Sequence, residues 1–159
     1  MVVFDRDGKY LTAWGTGEVT DPHGLKIVND IVYTTDRSDS VAKSFTLDGK
    51  VLLTLGQRGV HSDTGCTGAP WLAQRAAGPF NHPTEMIAHP NGDIYVGTGE
   101  GNNSGDSYYG SGILKSTDGG NTWLRLGGST FGKSTFTRLI INPTRGTIIA
   151  ATNTGHTSS

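Results

Sequence analysis

The side chains best spaced for chemistry lie in "SGILKSTDGGNTW", where Ser116, Asp118, Gly120, Thr122 and Trp123 follow the pattern S-x-D-x-G-x-T-W. Such a segment is accounted for as a turn. Asp118 accepts hydrogen bonds from nearby backbone, the glycine pair supplies positive φ, and Trp123 buries beneath the hairpin. Other reactive residue types are scattered. His82 and His89 flank one apolar run in "NHPTEMIAHP", seven residues apart, which along a strand at about 3.3 Å per residue separates them and turns them to opposite faces. Turn and strand-end roles suit both, and His61 and His156 sit in loop-like, solvated surroundings. Glu85 and Glu100 offer two carboxylates that could meet near one face, a pairing common by chance. Arg125, Arg138 and Arg145 are too dispersed to clamp a substrate carboxylate. Cys66, the single cysteine, has no disulfide partner within the chain and no base beside it, so it is expected to be a reactive loop thiol. No P-loop, dinucleotide glycine pattern, CxxC or nucleophile elbow is present.

These residues are held by a chain of repeats. "VVFDRDGKYLTAWG" (2–15) matches "AKSFTLDGKVLLTLG" (42–56), each a strand, an Asp-Gly-Lys turn, a strand and a closing glycine. "ILKSTDGGNTWLRLGG" (113–128) fills the same slot with a longer turn. On that alignment Trp14 and Trp123 are expected to close equivalent outer hairpins and to be buried. A second unit alternates with the first in "DPHGLKIVNDIVYTTD", "HPTEMIAHPNGDIYVGTG" and "FTRLIINPTRGTIIAATN". Each gives two apolar strands around a short turn, rich enough in Ile, Val, Leu and Thr to be covered on both faces. No segment has a helical period with caps.

The fold class is therefore all-β, and four-stranded repeats of about 40 residues are the mark of β-propeller blades. The whole chain, 1–159, forms one propeller fragment of about twelve strands, the equivalent of about three four-stranded blades. Residues 1–15 are an outer hairpin, 21–56 and 80–128 are blades, and 136–153 are an inner strand pair. Two loops rich in Gly, Ser, Asp and Asn, near 57–79 and 101–110, precede and interrupt the second blade; loops of this kind carry function or are equally solvated decoration, and a small molecule or glycan is the ligand class left open beside self-association. The opening strand starts without a lead-in, as though cut from something longer.

Composition narrows the function classes. With 13 basic and 14 acidic residues the net charge is −1, which gives no electrostatic basis for binding nucleic acid or an acidic membrane surface. Glycine, 24 of 159 residues, and a charged fraction of only 17% favour a turn-rich β domain over disorder. No apolar run is long enough to span a bilayer as a helix, and the N-terminal residues lack a signal-peptide layout.

The motifs carry two resemblances. Residues about 1–102, through "PHGLKIVNDIVYTTDRSDSVAKSFTLDGKVLLTLGQRG" and "GPFNHPTEMIAHPNGDIYVGTGEGN", resemble NHL repeats, in particular those of peptidyl-α-hydroxyglycine α-amidating lyase and its bacterial relatives. Residues about 109–155, through "GSGILKSTDGGNTWLRL", are similar to an Asp-box (BNR) repeat of sialidase-like propellers. Two motif styles in one chain suggest a chimera, natural or engineered.

The lyase resemblance implies zinc in the central channel, held by histidines at the start of alternate inner strands. His23 alone carries over as a metal ligand. Aligning the inner strands on Leu25, Met86 and Leu139 places Thr84 and Thr137 in its slot, so His23, Thr84 and Thr137 are expected to line the channel. Glu100 stands where the lyase pattern has a tyrosine. One imidazole is not a zinc site, so no cofactor is expected, zinc or calcium being the cations this slot would take. Sialidases place Asp boxes away from catalysis, which implies a structural role for Asp118 and Trp123.

The expected function is a non-catalytic propeller scaffold or binding module, not an enzyme. The alternatives are a metal-dependent enzyme like the amidating lyase, or a carbohydrate-binding or sialidase-like fragment. Three blades cannot close a ring that needs four to eight. The inner pair of one copy is expected to complete the outer hairpin of another, giving a homodimer with six blades.

Overall fold

The computed structural model describes residues 1–61, 80, 83–99, 110, 112–127, 130–131 and 134–154. They hold twelve β-strands and no helix: β1 (Val2–Phe4), β2 (Tyr10–Ala13), β3 (Pro22–Val28), β4 (Ile31–Asp36), β5 (Val41–Thr46), β6 (Val51–Leu55), β7 (Glu85–Ala88), β8 (Ile94–Gly97), β9 (Ile113–Ser116), β10 (Leu124–Leu126), β11 (Ser134–Ile141) and β12 (Ile148–Thr154). All pairing is antiparallel between neighbours in sequence. Two sheets have four strands, β3-β4-β5-β6 and β7-β8-β9-β10, and two have only a pair, β1-β2 and β11-β12. The chain is all-β and forms part of a β-propeller.

The turns between strands are made by the residues best suited to them. Asn29 and Asp30 both take positive φ (51° and 61°), the twist that lets β3 and β4 run into a two-residue hairpin. Gly49 (φ 91°), between β5 and β6, does the same for the Asp-Gly-Lys turn.

The sheets stack face to face with their first strands side by side, β7 lying against both β3 and β11. Met86, Ile94, Val96 and Leu114 of the second four-stranded sheet pack on Ala42 and Leu55 of the first, with Tyr33, Leu53 and Trp123 at the margin. Its opposite face (Ile87, Tyr95, Ile113) packs on Phe136 and Leu139 of the β11–β12 pair. On the far side of the first sheet the β1–β2 hairpin is anchored by Trp14, whose ring lies 5.3 Å from that of Phe45. One ion pair fastens the segment after it and a second ties the β4–β5 turn to the residues after β6. Lys43 Nζ meets Glu18 Oε2 at 2.7 Å, and Arg58 Nε meets Asp39 Oδ2 at 2.8 Å.

Two expectations are corrected. Covering on both faces holds for β7 and β8, every residue of which is buried, but β3 alternates and β12 is largely exposed. Among the described residues, β3 and β12 each have a sheet on one side only. The tryptophans do not occupy equivalent positions either. Trp14 follows β2, whereas Trp123 precedes β10, and both are half-buried. The partner slot to Trp14 belongs to Leu55, which follows the same pattern at the end of β6. A Cβ on Gly49 would meet the Trp14 ring at 2.6 Å, and one on Gly120 would meet Leu55 Cδ2 at 2.2 Å. The outer hairpins β1–β2 and β5–β6 thus each rest their last residue on a glycine in the next sheet's turn.

Candidate functional site

The Ser116–Trp123 segment closes on itself. Ser116 is the last residue of β9, and its buried hydroxyl accepts from Gly120 N at 2.8 Å and donates to Asp118 Oδ1 at 2.8 Å. Asp118 Oδ1 also accepts from Thr122 N (2.9 Å) and Oδ2 from Thr122 Oγ1 (2.6 Å). Hydrogen bonds from Thr122 and Ser116 hold the Asp118 carboxyl down to about 2, so it is ionised at any ordinary pH. Gly119 and Gly120 take the positive φ that carries the chain around, and Trp123 Nε1 returns a bond to Gly120 O at 3.0 Å. The Trp123 ring meets Phe80 edge-on with centroids 5.4 Å apart. All five residues come together, and the Asp118 carboxylate is occupied by bonds within its own turn.

The three inner-strand slot residues sit where their strands begin. His23 lies in a register shift between Pro22 and Leu25 of β3, and Thr137 in one between Phe136 and Arg138 of β11. Thr84 immediately precedes β7 and is buried, its hydroxyl 3.4 Å from Gly97 O. Gly24, next to His23, brings β3 onto β7. A Cβ there would stand 2.7 Å from Thr84 O and 3.1 Å from Glu85 Cα. The Gly24 amide donates to Thr35 Oγ1 (2.9 Å), and its carbonyl accepts from Thr34 Oγ1 (2.8 Å), so two hydroxyls replace the ladder bonds lost at the shift. His23 is half-buried, and hydrogen bonds from Ser38 and Arg37 lower the neighbouring Asp21 carboxyl. Among the described residues no group of three or more His, Cys, Asp or Glu is placed to hold a metal ion.

The strongest electrostatic feature of these inner strands brings Glu85 and Arg138 together with Lys26, a combination that the sequence reading does not make. Glu85, on the middle strand β7, is only 2% exposed. Lys26 Nζ of β3 lies 3.7 Å from its Oε1, Arg138 Nε of β11 lies 3.6 Å from its Oε2, and the Leu139 amide donates to Oε2 at 3.4 Å. One carboxylate therefore ties together all three inner strands. Desolvation nevertheless pushes the Glu85 carboxyl up and the Lys26 ammonium down, because neither Lys26 Nζ nor Glu85 Oε1 has a true hydrogen bond. The signal was present in the sequence: "GLKIV", "TEMIA" and "TRLII" each place a charge inside an apolar strand.

The remaining candidates have ordinary places. His89 follows β7; its Nδ1 accepts from Asn91 N (3.3 Å), leaving Nε2–H to donate to Pro143 O at 3.1 Å and join two neighbouring turns. His61 is exposed, with its Nδ1 2.6 Å from Ser40 Oγ. Arg125 and Arg145 are exposed on β10 and on the β11–β12 turn. Cys66, His82, Glu100 and His156 lie outside the described residues, as do most of the two long loops.

No family model matches this chain. No curated protein matches it either. Among solved structures it is similar to virginiamycin B lyase from Staphylococcus aureus, at 15% identity and a TM-score of 0.45, over 82% of this chain and 34% of that one. The chain thus spans about a third of the length of that protein.

Proposed function

We propose that the chain is a non-catalytic β-propeller scaffold or binding module that closes into a ring by pairing with a second copy of itself. The observation that carries this reading is the pair of half-sheets. The free edge of β12 and the free edge of β1 each lack a strand neighbour among the described residues. Joined as β11-β12-β1-β2, they would repeat the order of the two four-stranded sheets. Open edges of this kind invite pairing. Two copies would give six sheets, inside the range of closed propellers, whereas three would give nine.

Two acid groups among the described residues support the non-catalytic part: Asp118 is bound within its turn and Glu85 lies between Lys26 and Arg138. Likeness of the first 102 residues to NHL repeats and of 109–155 to Asp-box repeats supports descent from two propeller lineages. The test is sedimentation equilibrium over a hundredfold dilution. A particle of twice the 16.8 kDa chain mass is expected. A well-folded monomer at all concentrations overturns the reading.

A further inference from the structure

Resting on that reading, we infer which faces the two copies bring together: the outward face of β11–β12 in one copy docks on the outward face of β3 in the other. Equivalent positions in the repeats differ in burial according to whether a sheet lies beside them. Leu25, Met86 and Leu139 face the preceding sheet from β3, β7 and β11, pairing across to Thr34, Val96 and Ala150. Met86 is 1% exposed and Leu139 0%, each covered by the sheet before it, while Leu25 is 57% exposed. Ile27, on the same face of β3, is likewise exposed.

The opposite faces show the complementary defect. Ile87 of β7 is 2% exposed because β11–β12 covers it, whereas its equivalent Ile140 on β11 is 50% exposed. Ile149 of β12 is exposed beside it through direct pairing of Ile140 with Ile149. Within the chain, the Ile87 face always meets the Leu139 face. Repeating that contact sets Ile140 and Ile149 of one copy on Leu25 and Ile27 of the second.

The outer hairpins give the same answer independently. Phe45 is 0% exposed beneath Trp14, and its repeat equivalent Phe4 is 56% exposed. Gly49 and Gly120 each carry the last residue of a preceding hairpin, but a Cβ on the equivalent Gly8 would meet nothing within 4 Å. Leu126, which ends β10 as Trp14 and Leu55 end their hairpins, is the residue that would rest on Gly8 of the second copy. The vacant positions therefore match in number, chemistry and order around the ring, and the occupant they fit is another molecule of this chain.

The contact is between unlike faces, and that makes it testable. Leu25→Cys and Ile140→Cys are made separately on a Cys66→Ser background and treated with a short bis-maleimide. The mixed variants are expected to give a covalent dimer on a denaturing gel, and neither variant alone should do so. Cross-linking within the single variants would mean that like faces meet, which overturns this inference while leaving a two-copy particle intact. A monomeric particle by mass would overturn the ring itself. Leu25→Asp and Ile140→Asp give the same answer without a reagent. Each is expected to raise the dimer dissociation constant at least about tenfold, and unchanged association by both rejects the contact.

Discussion

Gly24→Ala separates packing from strand propensity, because the two predict opposite signs. By propensity alone a glycine within a strand costs about 0.5–1 kcal/mol relative to alanine, so the substitution should stabilise. Gly24 has no positive φ, and backbone strain does not enter. Space decides instead. The new methyl would stand 2.7 Å from the Thr84 carbonyl oxygen, 3.0 Å from Thr35 Oγ1 and 3.1 Å from Glu85 Cα. Thr35 can yield, but Thr84 O and Glu85 Cα are backbone, so β3 and β7 must separate by several tenths of an ångström. Overpacking of this kind costs about 1–3 kcal/mol. The movement would also lengthen the 3.7 Å approach of Lys26 to Glu85. Setting the propensity gain against this leaves a net loss of about 1–2 kcal/mol. With a urea slope of about 2 kcal/mol per molar, the midpoint should fall by about 0.5–1 M. The assay is urea unfolding followed by tryptophan fluorescence, at one fixed protein concentration. A midpoint equal to or above that of the parent chain would refute the close approach of β3 to β7.

Three further outcomes follow from the same contacts. Phe136→Ala should cost about 3–5 kcal/mol, since Phe136 is fully buried between β11 and the second four-stranded sheet; a loss under about 1 kcal/mol would detach β11–β12 from that core. Acidification should loosen the Ser116–Trp123 turn only very late. The folded carboxyl of Asp118, lowered from 3.8 to about 2, contributes stability above pH 3.8 that is lost as pH falls toward 2. Trp123 emission that already shifts above pH 5 from this turn, and still does so in Asp118→Asn, would contradict the assignment. For Glu85 the sign is reversed. Its folded carboxyl is raised by burial, so its contribution is fully present below the unfolded value of 4.5 and declines as pH rises through the folded one. Relative to Glu85→Gln, the parent chain should therefore gain stability between pH 7 and pH 4 in paired urea titrations, with Lys26, Arg138 and the Leu139 amide facing the same carboxylate throughout. A difference that is flat or moves the other way removes desolvation as the controlling effect.

Much of the strand order was legible because the turns are local chemistry. Asp48-Gly49, Asn29-Asp30 and Pro90-Asn91-Gly92 each allow one tight reversal, and alternating apolar residues fix the strands between them. The Ser116–Trp123 turn was legible for the same reason, since every bond within it spans four residues or fewer. What the sequence hid depends on contacts between sheets. Trp14 and Trp123 look alike on paper, yet only Trp14 ends a hairpin. The Lys26–Glu85–Arg138 clamp joins residues more than 50 positions apart: each charge stands out inside its own apolar strand, but nothing local says that the three meet. The exposure of β3 and β12 was hidden too, because an apolar strand does not reveal which of its faces has a neighbour.

Amide hydrogen exchange at the two free edges tests ring closure most directly. Segments 2–4 and 148–154 should exchange slowly at high protein concentration and accelerate together on dilution, while 85–88 and 94–97, interior to a complete sheet, stay protected throughout. Fast exchange at both edges at every concentration, with the interior strands still protected, would show that β12 and β1 have no strand beside them and would contradict the composite sheet.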